Sequence, residues 1–297
     1  MNRDTFAGYH PVVNFLYFLA VLGLGMFIMH PVCLGISLVC AVAYSGYLKG
    51  AKAMLFQLRV MLPLLLLTAL LNPVFNHEGA TILLYIGDGN PLTLEAIYYG
   101  IAAASMMVTV ITWFSCCNVV MTSDKFVYLF GKLIPALSLI LSMTLRFVPR
   151  FTAQIKVVTQ AQRCVGRDVS SGSVRKRIHN GLTILSIVIT WALENAIETA
   201  DSMRSRGYGM AGRTAFSIYR LQRRDLIALA AIVLLVAYVI VGYATDGIYW
   251  QYYPLVSGEL TSAYSISIFA AYLGLCLLPL LINFGEDLKW KSLTSKI

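Results

Sequence analysis

Six stretches of this chain contain one charged residue between them, Arg59. They are Val12 to Met29, Val32 to Leu48, about Met54 to Leu71, Ala96 to Asn118, Leu226 to Ala244 and Ala263 to Asn283. Each has roughly the 17 to 25 residues with which a helix crosses a hydrocarbon core. Lipid offers the backbone no hydrogen-bonding partner, so runs of this kind fold as helices that bond to themselves. With 58% hydrophobic and 12% charged residues, a chain of 297 residues carries more apolar surface than a soluble fold buries. The fold class expected is all-α: a polytopic membrane helix bundle of about six spans, the first two hinged at His30-Pro31.

Charge is distributed as unevenly as hydrophobicity. From Arg146 to Asp225 there are fourteen Lys or Arg against five acids, a net of +9, which is the net charge of the whole protein. Cytosolic loops of membrane proteins carry the excess of Lys and Arg, so this segment belongs inside the cell. The loops Asn72 to Glu95 and Thr245 to Ser262 hold Glu78, Asp88, Glu95, Asp246 and Glu259 and no basic residue, and they read as external. Threading the six spans alternately then brings Arg3, Lys49, Lys52, Lys125, Lys132, the basic block, Lys289, Lys291 and Lys296 to one side. Both termini are expected in the cytosol. Three regions follow: a four-span membrane bundle over 1–132, a cytosolic segment over 133–225, and C-terminal spans with a tail over 226–297.

Two further apolar runs, Leu133 to Leu145 and Leu182 to Leu193, are too short to cross and are flanked by residues placed inside. They read as apolar parts of long amphipathic helices at the cytosolic interface. A short re-entrant hairpin is the alternative. One helix is expected to begin near Pro149 with Phe151, Ile155, Val158 and Val165 on one stripe, and to end at Gly166. A second is expected from about Gly181 to Arg206, carrying Glu194, Glu198 and Asp201 along one face, with Val169 to Asn180 as connector.

Both helices finish with arginine beside glycine: Arg163, Gly166 and Arg167 at the first end, Arg204, Arg206 and Gly207 at the second. Two readings stand. The glycine can stop the helix in a left-handed conformation while the cation meets the last carbonyls and the macrodipole, worth about 0.3 to 1 kcal/mol. Alternatively, each guanidinium is a rigid, always-charged fork for an acidic or carbonyl-lined groove on another protein.

The stretches Leu145-Arg146-Phe147-Val148-Pro149, Ala161-Gln162-Arg163 and Ala200 to Gly209, with its Asp201-Ser202-Met203-Arg204-Ser205-Arg206-Gly207 core, resemble the transmembrane coupling subunit of energy-coupling factor transporters, EcfT. The resemblance covers about Thr144 to Arg224, including the spacing of about forty residues between the arginine motifs. It implies long cytosolic coupling helices whose tips sit in grooves of two ABC-type ATPase subunits and which also hold a small substrate-binding membrane subunit. It further implies micronutrient uptake across a prokaryotic plasma membrane, with no catalytic residue in this chain and ATP hydrolysis in the partners. Arg206 falls at the family's central arginine, but Val165 stands where the first motif would place one. Arg163 or Arg167, four apart on one face, is expected to substitute. Two spans follow Arg224 where the family pattern would supply one.

Other motifs point nowhere specific. Gly207-Tyr208-Gly209-Met210-Ala211-Gly212 spells G-x-G-x-x-G, but it follows a helix and opens no βαβ unit, and no G-x-x-x-x-G-K-[ST] occurs. His10, His30, His77 and His179 are isolated, and the six cysteines show no C-x-x-C spacing, so no cofactor, metal or disulfide is expected. Arg59 lies close enough to the cytosolic end of its span to snorkel. A secondary transporter or channel-like protein remains an alternative, though the spans lack the acids that ion coupling uses. A membrane-bound transferase is a further one, lacking clustered Asp or His. The partners expected are the two ATPases, the substrate-binding subunit and membrane lipid, and no nucleic acid.

Overall fold

The computed structural model describes residues 4–86, 90–131, 135–208, 210, 219–258 and 262–294. Arg3, Asp88, Lys132, Leu133, Gly209, Ala211, Gly212, Arg213, Glu259 and Lys296, used in the reading above, lie outside the described residues. The chain divides into two compact units, Met1–Thr122 with Tyr219–Ile297, and Ser123–Ile218.

The first unit contains helices α1 (Pro11–Phe27), α2 (Pro31–Lys49), α3 (Ala51–Phe75) and α4 (Leu94–Val120). The second contains α5 (Ser123–Gly131), α6 (Pro135–Cys164) and α7 (Val174–Ser205), and the chain returns to the first unit as α8 (Arg223–Ala244) and α9 (Ala263–Thr294). The only sheet among the described residues is two short antiparallel hairpins, β1 (Ile82–Ile86) with β2 (Asn90–Thr93) and β3 (Trp250–Gln251) with β4 (Ser257–Gly258). The fold is the all-α polytopic bundle expected.

His10 and His30 start α1 and α2 in the same way. Each stands just before a first-turn proline and accepts a hydrogen bond through Nδ1, from the Val12 and Val32 amides at 3.3 Å. Proline at that position lacks an N–H that would have no partner anyway, and the imidazole satisfies the next one. Trp113 of α4 then fills the centre of the unit, its Nε1 donating to Ser37 Oγ at 3.0 Å. The rings of Tyr17, Phe18 and Tyr44 surround it at 6.1 to 6.4 Å, which locks α1, α2 and α4 together. Cys33, Cys40, Cys116 and Cys276 are buried packers in this unit.

The six helices of this unit run alternately up and down, and their ends sort by charge. At one end Tyr252 donates to the Met29 carbonyl at 2.8 Å and Asn76 to Tyr253 at 2.9 Å, gathering the acidic loops after α3 and α8. At the other, Asn283 accepts from the Thr5 amide at 2.8 Å, and Asp225 accepts from the His10 amide at 3.3 Å while capping α8. Arg224 reaches the Gly8 carbonyl, Asp287 accepts from Tyr47, and Lys49 meets Ser115 at this second end, where Lys289 pairs with Glu286.

By length and composition, α2, α3, α4, α7, α8 and α9 are able to cross a membrane, while α1 is equally apolar but only 17 residues long. The sequence reading places α1 among the six and leaves out α7. The difference arises because the polar flanks of Leu182 to Leu193 are helical too, extending a short apolar run to 32 residues.

Candidate functional site

The second unit is built on the crossing of α6 and α7. Val158 packs with Ile184 and Val188 in a small buried core, and Trp191 meets Phe151 edge-on at 5.8 Å. The helix expected to start near Pro149 starts at Pro135 instead. Pro149 lies inside this helix and removes one backbone bond, and Phe147 and Phe151 stack across it at 5.8 Å. The second helix likewise starts at Val174 rather than Gly181. Arg177 Nε donates to the Val169 carbonyl at 2.7 Å and Asn180 Nδ2 to that of Asp168 at 2.9 Å, so these residues brace the connector from within the helix.

At the two far ends the backbone does the same thing twice. After α6, Gly166 at φ +76° donates to the Arg163 carbonyl at 3.0 Å and Arg167 to that of Gln162 at 2.9 Å. After α7, Gly207 at φ +73° donates to Arg204 at 3.0 Å and Tyr208 to Met203 at 3.1 Å. Both are complete Schellman motifs. The glycines therefore perform the stop that their position suggested. Because backbone amides take the last carbonyls, the arginine side chains are not needed as caps. Among the described residues Arg167, Arg204 and Arg206 make no side-chain hydrogen bond or ion pair, and all three are exposed.

Superposing the hydrogen-bond patterns sets Arg163 on Arg204, Val165 on Arg206, and Arg167 on Tyr208. Val165, expected on the apolar stripe, is 71% exposed; Phe151 and Val158 pack inward while Ile155 and Val165 do not. It lies one residue past the last helical position, where the turn carries the chain off the 3.6-residue register. Arg163 reaches Asp168 at 3.7 Å, a wide pair with an exposed arginine and a half-buried carboxylate that contributes little. The Ser170 hydroxyl and amide donate to Asp168 at 2.5 and 3.0 Å and, with Arg163 nearby, hold its carboxyl below the usual range.

Gly207, the first residue of the G-x-G-x-x-G string, closes a helix, and Gly209 and Gly212 of that string lie outside the described residues. Sequence reasoning missed a larger feature beside this tip. Arg146 and Arg150 of α6 share a crevice of about 790 Å³ with Glu198, Ser202 and Arg206. Their spacing of four, on the face turned toward α7, was the available signal.

A bundle of apolar helices, in a chain that also carries a basic helical unit with two arginine-bearing stops, defines a multi-pass membrane protein. The chain belongs to the CbiQ family, described as cobalt transport protein, which matches residues 9–218 and so leaves α8 and α9 outside the match. It is 37% identical over 106 residues to the energy-coupling factor transporter transmembrane protein EcfT of Lactobacillus helveticus, and 34% identical over 98 residues to that of Staphylococcus aureus. These alignments take in 35% and 33% of this chain and only 38% and 37% of those relatives. A longer alignment to the EcfT of Limosilactobacillus fermentum gives 26% identity over 195 residues, 63% of this chain and 71% of that protein.

Proposed function

We propose that this chain is the non-catalytic membrane subunit of an energy-coupling factor importer. In this reading residues 1–132 and 226–297 lie in the membrane of a prokaryotic cell with both termini cytosolic, and 133–225 form the cytosolic coupling segment. Two ABC-type ATPase subunits hydrolyse ATP and dock on the α6 and α7 tips, while a small membrane subunit binds the micronutrient to be imported. Arg206, with Arg204 and Gly207, makes the contact at the α7 tip. At the α6 tip Arg163 or Arg167, beside Gly166, stands in for the missing arginine.

The observation that carries this reading is the repeated stop with Arg167, Arg204 and Arg206 left unused. A helix of 32 residues is a rigid lever of about 48 Å at about 1.5 Å per residue. Movement imposed on its tip by an ATPase is delivered to its far end. Exposed guanidinium groups on a tip already capped by its own backbone have their charge available for a partner.

Coexpression with the two ATPases tests it. Arg206→Glu should abolish their recovery with the membrane chain while the bundle stays folded, because the reversed charge meets an acidic or carbonyl-lined groove. Arg206→Lys should weaken recovery less, since lysine keeps the charge but loses the planar fork. Full assembly by Arg206→Glu would refute docking at this tip.

A further inference from the structure

The motif Leu145 to Pro149 has no place in either tip, yet the crossing of α6 and α7 brings it to one of them. Arg146 and Arg150 line the crevice of about 790 Å³ together with Arg206, and the α7 wall adds Glu198 and the Ser202 hydroxyl. Three guanidinium groups thus share the space with one carboxylate. Among the described residues none of the four charged groups forms an ion pair.

The arginines are positioned rather than neutralised. Arg150 lies 5.5 Å above the Trp191 ring, a cation–π contact that fixes the group and leaves its charge in place. Arg206 is released from capping because the amides of Arg206, Gly207 and Tyr208 occupy the carbonyls of Ser202, Arg204 and Met203. A concave site with a surplus of two positive charges concentrates potential and attracts an anion. Forked guanidinium groups match carboxylates best. The polar α7 wall, with Glu198 among its groups, suits a polypeptide edge better than an acyl chain.

We propose that Arg146, Arg150 and Arg206 form one composite anion site, which receives a surface segment bearing two carboxylates from the ATPase that docks at the α7 tip. The inference rests on the reading that an ATPase docks there, and it adds the middle of α6 to the contact. Docking then engages both helices of the crossing at once, so the partner holds the angle between them as well as one tip.

The test uses the full chain reconstituted in detergent, with its two ATPase chains titrated at low and high ionic strength. Arg146→Gln and Arg150→Gln should each weaken association about tenfold, which is about 1.4 kcal/mol. The double variant should also lose much of the salt dependence of binding, which loosened packing alone would not change. Arg146→Lys with Arg150→Lys guards against misfolding: it should bind several-fold more weakly than the parent with the salt dependence retained, and parental affinity in this pair would count against recognition by forked groups. If the double glutamine variant binds with parental affinity and salt dependence while Arg206→Glu does not bind, the crevice proposal fails and tip docking survives. Parental binding by Arg206→Glu removes tip docking and the crevice with it. Loss of copurifying phosphatidylglycerol with ATPase affinity intact would assign the crevice to a lipid headgroup and overturn the proposal.

Discussion

Gly166 and Gly207 adopt the same left-handed backbone, but their neighbourhoods differ. Nothing lies within 4 Å of a side chain added at Gly166, whereas Met210 Sδ would lie 2.9 Å from one at Gly207. Alanine at either site carries the left-handed penalty of about 1 to 2 kcal/mol. Gly166→Ala and Gly207→Ala should therefore reduce hydrogen-exchange protection of the Arg167 and Tyr208 amides, with Gly207→Ala the larger effect because Met210 must also move. Unchanged protection in both would mean that the stops do not depend on glycine. These glycines were legible because a turn residue next to a cation at the end of a polar-apolar repeat has few other uses. Val165 was not, since periodicity places a residue only while the helix lasts. His10 and His30 looked isolated along the chain; the proline following each was the sign that they begin helices.

The contact between α6 and α7 rests on the buried Val158, Ile184 and Val188 and on the Phe151–Trp191 pair. Trp191→Ala removes the Phe151 contact and the seat of Arg150 together. A fully buried tryptophan costs about 3 to 5 kcal/mol when truncated, and Trp191 is only partly buried, so about 2 kcal/mol is expected. Thermal unfolding in detergent should show a lowered midpoint for Trp191→Ala and a smaller drop for Trp191→Phe; an unchanged midpoint would mean the crossing is held elsewhere. Both helices are longer than their sequence signals imply. Pro149 reads as a helix start until the stack of Phe147 on Phe151 across it is seen, and Arg175 to Arg177 read as connector until Arg177 is found bonded to Val169. Helix α5 and the two hairpins went unread because loop charge was used only for its sign.

Across the first unit, the loops after α3 and α8, which hold Glu78 and Asp246, gather at one end of the bundle, while Lys49 and Arg224, with Asp225 and Asp287, lie at the other. That sorting is what a sequence read for hydropathy and charge recovers well. What such a read does not recover is geometry between segments far apart in sequence, such as Arg146 and Arg206 lining one crevice. In a chain cleared of its six native cysteines, an impermeant thiol reagent should label a cysteine at Ser257 from outside and one at Ser171 only after permeabilisation. External labelling of Ser171 would remove the basic unit from the cytosol. The central claim is that the chain works only with ATPases on its helix tips, and purification of the intact chain from cells expressing the ABC-type ATPases tests it most directly. The account predicts stable recovery of two ATPase chains per membrane subunit and substrate uptake that requires ATP. Uptake by the purified chain alone in vesicles, with no ATPase retained, would contradict it.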